Sequence, residues 1–188
     1  MKDVLWIVKN KYNVFTCTGA YAVLIMSGLK RVENRGMMPV PAKGRCAMSV
    51  SKKFCRAEYD NLIAWLAANC GAAVMERVLP WDEVKSWPGS IVCTMDYEAM
   101  DALPRDAALA HECRVWNEGY RYWWLLSDIR RLSVPVPCRG NVGMWQLTSD
   151  LAAKIGYEIH LGALYKANQH QRYMPRAWVF QVNGALSI

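Results

Sequence analysis

The residues best equipped for chemistry crowd into one stretch, Gly28-Leu29-Lys30-Arg31-Val32-Glu33-Asn34-Arg35. An ammonium, a carboxylate and a guanidinium in such proximity suit a general base beside an oxyanion-stabilising cation, or a cradle for an anionic ligand. If Lys30–Arg35 is extended, a period of two puts Lys30 on the face opposite Glu33 and Arg35. A turn or bulge would instead let ammonium and carboxylate converge beside Arg35. Without one, the stretch is a solvated charged strand whose ion pair contributes little.

Other chemistries fail on spacing. Ser27–Lys30 and Ser49–Lys52 both match S-x-x-K, but the companion S-D-N and K-T-G signatures are absent. His111-Glu112-Cys113 and Pro137-Cys138 lack the H-x-E order and the P-C-x-x-C pair of a zinc deaminase, so no metal is expected. His160 and His170 have no orienting acid nearby in sequence and read as surface or packing residues. No phosphate-cradling G-x-x-x-x-G-K-S/T and no strand leading into G-x-G-x-x-G occurs, so no nucleotide or dinucleotide cofactor is expected.

Charge narrows the partner. The chain of 188 residues carries a net +7, yet residues 61–188 hold twelve basic and twelve acidic residues and sum to zero. The excess lies in 30–56, where Lys30, Arg31, Arg35, Lys43, Arg45, Lys52, Lys53 and Arg56 face one acid, Glu33. Such a segment is expected of a phosphate-facing surface. Seven cysteines, an odd number without a C-x-x-C pair, point to a reducing, cytoplasmic compartment. Residues 12–29 lack charge, but Asn13, Thr16, Thr18, Gly19 and Ser27 break their apolarity, and no membrane span is expected. Hydrophobic residues at 53% supply a core and exclude wholesale disorder.

The elements that must position these residues follow from periodicity. Val4–Val8 reads as a strand, and Thr18 as the cap of a helix through Ala20–Met26 that stops at Gly28. Prolines and glycines make 36–44 a loop, and Arg45–Ser51 a strand with Cys46, Met48 and Val50 on one face. Arg56–Asn69 is the best helix, turning Tyr59, Leu62, Ile63 and Leu66 to one side, with Gly71 after its end. The second half is β-rich. Gly89–Tyr97 alternates Ile91, Cys93, Met95 and Tyr97 against Asp96, and Arg121–Leu126 is aromatic and strand-like. Val134–Gly140 reads as an extended edge or turn, Val142–Leu147 as another strand, the stretch after Ser149 as helical, and Ala177–Val182 as a late strand. A barrel or strongly bent sheet with two or three helices fits this order, whereas a parallel α/β sheet would need regular strand–helix alternation.

At the charged motif the sequence resembles a family. The helix carrying Ala22, Ile25 and Gly28, then Lys30, Glu33 and Arg35, then Gly44-Arg45 and Ser51-Lys52-Lys53, is similar to the ASCH domain, a relative of the PUA fold of RNA-binding modules. A second similarity runs from Trp123-Trp124-Leu125-Leu126 through Arg130-Arg131-Leu132 to Pro135–Trp145, like that family's closing P-x-P-x-x-G-x-x-G-x-W segment. Together they cover about residues 15–147. The resemblance implies an α+β fold with a small PUA-like barrel over 1–148 and a C-terminal extension over 149–188. It also implies a cleft for RNA or a modified nucleoside. One bacterial branch hydrolyses acetylcytidine with a lysine, a threonine and a glutamate. Lys30 falls at that lysine, Glu33 stands where the threonine would be, and Asp96 would carry the acid.

Two functions from different classes follow. The first is a monomeric binding module for single-stranded RNA or a modified nucleotide. Lys30, Arg35, Arg45, Lys52, Lys53 and Arg121 would supply the cations, with Trp124, Tyr122 or Trp145 to stack on a base. The second is a nucleoside- or RNA-directed deacylase or ribonuclease, with Glu33 or Asp96 as general base and Lys30 stabilising an oxyanion. A protein–protein adaptor docking through the extension has no motif behind it. Trp124, beside Arg121, is expected at the site, and Trp145 in the scaffold.

Overall fold

A computed structural model describes residues 13–116 and 119–156. The predicted strands at Val4–Val8 and Ala177–Val182, and most of the C-terminal extension, lie outside these residues. The chain is α+β: a curled six-stranded half-barrel sheet with several helices. Its strands are β1 (Asn13–Cys17), β2 (Val32–Arg35), β3 (Lys43–Val50), β4 (Ser90–Met100), β5 (Tyr122–Pro137) and β6 (Met144–Gln146), ordered β2-β5-β4-β3-β1-β6. All neighbours are antiparallel except β1 and β3. The helices are α1 (Gly19–Met26), α2 (Arg56–Asn69), α3 (Ala72–Met75), α4 (Trp81–Val84) and α5 (Ala107–Val115), and residues 149–156 are also helical. No helix among the described residues is long and apolar enough to cross a membrane.

The helix α1 connects β1 to β2 and explains why β2 starts where it does. Gly28 adopts φ +68, Gly28 N–H donates to the Ile25 carbonyl and Leu29 N–H to the Leu24 carbonyl. That double bond pattern is a Schellman stop, for which the left-handed position wants glycine. Lys30 N–H also donates to Leu24. Lys30 is therefore still in the turn, and the strand begins only at Val32. At the other end Thr18 makes no side-chain cap, and a carboxylate from α2 replaces it: Ala20 N–H donates to Glu58 Oε1 at 3.0 Å.

Both faces of the sheet are covered. On the inner face, toward α1 and α2, Phe15, Cys17, Cys46, Met48, Met95, Tyr97 and Trp124 join the main core. On the outer face Val14, Ala47, Ile91 and Leu132 pack with Ala152 and Ile155 of the last helical segment. The alternation expected in β3 is present, with Ala47 buried on the opposite side as well. In β4 it breaks. A register shift around Val92 sends Ile91 outward while Cys93 and Met95 stay inward. A second irregularity skips Leu132 to Pro135 of β5 between the pairs Cys93↔Arg131 and Ile91↔Val136. This joins what the sequence suggests are two segments, Arg121–Leu126 and Val134–Gly140, into one strand of 16 residues. Its prolines fit because β2 pairs only with Tyr122–Leu125, leaving the distal part of β5 beside β4 alone.

Candidate functional site

Lys30, Glu33 and Arg35 do converge. Lys30 Nζ lies 2.9 Å from Glu33 Oε2 and donates to the Val32 carbonyl, and Arg35 reaches Glu33 Oε1 at 2.9 Å. Lys30 is 1% exposed and Glu33 5%. The ammonium sits 4.8 Å from the Tyr21 ring centre and 5.9 Å from that of Trp116, so it does have an aromatic wall. Burial pushes the Glu33 carboxyl up, but Lys30 and then Arg35 more than offset this and hold it below its ordinary range. Burial and the Glu33 carboxylate together push the nearby Cys17 thiol upward, keeping it protonated.

Arg35 does something the linear sequence does not suggest. Its guanidinium donates to the Thr16 carbonyl at 2.8 Å and lies against the Phe15 and Trp124 rings. β2 is one edge of the sheet, and β1 lies next to the other edge. Arg35 therefore ties the two sides of the half-barrel together across its opening, and Glu33 and Lys30 hold Arg35 in place.

Asp96 is elsewhere. Glu33 pairs with Trp124 and Trp124 with Ala99, so Glu33 shares the face of Ala99 and Tyr97. Asp96, out of phase with them, projects from the opposite face. There Arg45, its cross-strand partner, contacts it at 3.1 Å and Asp128 at 2.7 Å. Asp128 has φ 44 and belongs to the bulge opposite Met95, which keeps it on this outer face. Burial raises the Asp128 carboxyl, but Arg45 and Arg130 outweigh it and hold the group low. The catalytic trio of Lys30, Glu33 and Asp96 thus does not assemble. Trp124 is 3% exposed, edge-on to Phe15 at 5.8 Å and tilted against Tyr97 at 5.8 Å. It is a core residue and has no free face for a base, contrary to its expected place in the site. Arg121 is exposed, with its guanidinium 5.1 Å from the Tyr122 ring centre.

Structure also redistributes the basic segment. Of its eight cations, Lys30 and Arg35 are paired with Glu33, Arg31 with Glu112, Arg45 with Asp96 and Asp128, and Arg56 with Asp60. Lys43, Lys52 and Lys53 are exposed and make no ion pair with any described residue. Lys52 lines an open groove of about 630 Å³ together with Gly89, Ser90, Pro137, Cys138 and Arg139. Arg139 and Ser90 are the additions that sequence reasoning missed. Arg139 stands inside the closing motif and was legible as a cation, but only the fold brings it to Lys52.

Fold and site together define a basic α+β half-barrel with a closed ionic core and an open cationic groove. No family model matches the chain, and no curated protein matches its sequence.

Proposed function

We propose that the protein is an ASCH-type, PUA-like binding module that holds single-stranded RNA or a modified nucleotide, as a monomer in the reducing environment of the cytoplasm. What supports this reading is the groove: Lys52 and Arg139, from segments 87 residues apart, line it together, and among the described residues no carboxylate does. Cations that no protein carboxylate neutralises retain their attraction for phosphate, and counterion release makes that attraction dependent on salt. Lys53, next to Lys52, adds a further exposed cation, while Lys43 stands at the far end of β3 opposite Glu98, and Arg45 and Arg35 serve the fold.

RNA binding measured by fluorescence anisotropy across a salt series tests it. Lys52→Gln and Arg139→Gln should each reduce the slope of log K against log salt by roughly 0.7. Slopes equal to the wild type's, or no binding at low salt, would sink the reading.

A further inference from the structure

The groove carries more than charge. Ser90 is 5% exposed and lines it, and its hydroxyl has no hydrogen-bond partner among the described residues. A hydroxyl that opens on the groove without a protein partner is free to donate to a ligand held there by the two cations. The frame around it is fixed by backbone bonds: Gly89 N–H donates to Val50, Ser90 N–H to Trp87 and Cys138 N–H to Gly89, all at 2.9–3.0 Å. Gly89 has φ +70, and a Cβ there would lie 2.9 Å from Lys52 Cγ and 3.1 Å from Cε. The Lys52 chain therefore lies across Gly89, which carries its ammonium along the groove.

We propose that this groove is a site for a terminal phosphate, the phosphomonoester end of a nucleotide or of an RNA strand. The inference rests on the nucleic-acid reading and specifies which part of the ligand the groove takes. A phosphodiester has one negative charge and two free oxygens. A phosphomonoester carries about −1.5 to −2 at neutral pH and presents three acceptor oxygens. Lys52, Arg139 and Ser90 offer two full positive charges and three separate donor groups, a match for the monoester.

Five ligands separate the possibilities: one short oligoribonucleotide with a 5′-phosphate, a 3′-phosphate or hydroxyls at both ends, a 5′-mononucleotide, and inorganic phosphate as competitor. The wild type should bind one of the phosphorylated strands about tenfold more tightly than the hydroxyl strand, the order expected for a charge-assisted contact. Inorganic phosphate should erase that advantage. Lys52→Gln, which retains most of the chain lying on Gly89, and Arg139→Gln should each remove most of the preference. Ser90→Ala should reduce it by about threefold, with melting curves confirming that each variant is folded. Equal binding of all three strands, or a preference that survives in Lys52→Gln/Arg139→Gln, overturns the terminal-phosphate site while leaving RNA binding intact. Binding of a 5′-mononucleotide and of inorganic phosphate without any RNA binding would do the reverse.

Discussion

Removing the Glu33 carboxylate should damage the fold more than removing either of its cations. Among the described residues Glu33 is the one acid in direct contact with Lys30 and Arg35, whose side chains are 1% and 22% exposed. Glu33→Gln leaves two cations facing each other with only carbonyl and aromatic partners. Breaking a buried pair in this way costs about 3–5 kcal/mol, and for a chain of this size each kcal/mol lowers Tm by about 2–4 °C. A fall of roughly 6–20 °C is expected. Lys30→Met leaves Glu33 paired one-to-one with Arg35 and fills the space under Tyr21 and Trp116, so it should cost only about 1–2 kcal/mol. The sharper expectation concerns the double variant. Lys30→Met/Glu33→Gln should be more stable than Glu33→Gln alone, because it takes away one stranded charge. Guanidinium unfolding followed by tryptophan fluorescence measures all three. The reasoning is refuted if Glu33→Gln melts with the wild type, or if the double variant is the least stable. Acid gives an independent check. The Glu33 carboxyl is held below its ordinary 4.5 in the folded chain, so its contribution is complete above about pH 4.5 and is lost as pH falls through the lower folded value. The wild type should lose more stability than Glu33→Gln over that acid range.

Trp124→Ala should cost about 3–5 kcal/mol, with RNA affinity of the folded fraction unchanged; an affinity loss at constant Tm would return Trp124 to the site. Trp145 is half-buried beside Val14 and packs on the outer cluster, so Trp145→Ala should cost about 3 kcal/mol, and a wild-type melt would sink the assignment of its segment as the closing strand. Gly89→Ala forces a side chain into φ +70, at about 1–2 kcal/mol, and displaces Lys52, so RNA affinity should fall with stability; unchanged RNA affinity would show that Lys52 does not depend on this glycine. The wild type should release no acetate from acetylcytidine, since Lys30 and Glu33 are buried and mutually paired; robust release would overturn that view of the pair.

Local signals were readable where local forces decide. Arg56–Asn69 is helical to the residue, and the stop at Gly28 follows from its left-handed conformation. The period of two in β3 survives because its register is regular as far as Met48. In β4 the same reasoning fails at Ile91, because a bulge inserts a residue and no residue type announces it. Lys30 and Glu33 have the wrong parity for a strand, and they meet only because the cap of α1 delays the strand to Val32. The charge of the 30–56 segment was the most misleading signal. Its neutralising carboxylates come from Glu112, Asp96 and Asp128, distant in sequence, so spacing could not reveal that Arg31 and Arg45 are already paired. Trp124 illustrates the same limit: an aromatic strand shows that rings alternate between faces, but only the pairing with Glu33 and Ala99 says which face is the core.

The three-residue strand β6 has a consequence for how the chain is made. It covers the outer edge of β1 through Asn13↔Gln146, Val14↔Trp145 and Phe15↔Met144. One of the first described segments to leave a ribosome therefore waits for one of the last before that edge is paired. During synthesis β1 can join β3 as soon as residue 50 has emerged, but the backbone edge that β6 covers waits nearly a hundred residues more for that partner. An unpaired apolar edge invites pairing with another nascent chain, and contacts so far apart in sequence close slowly. Chains ending before Met144 should therefore aggregate even though the main core is complete. For this fold, β6 acts less as a source of stability than as the step that ends exposure.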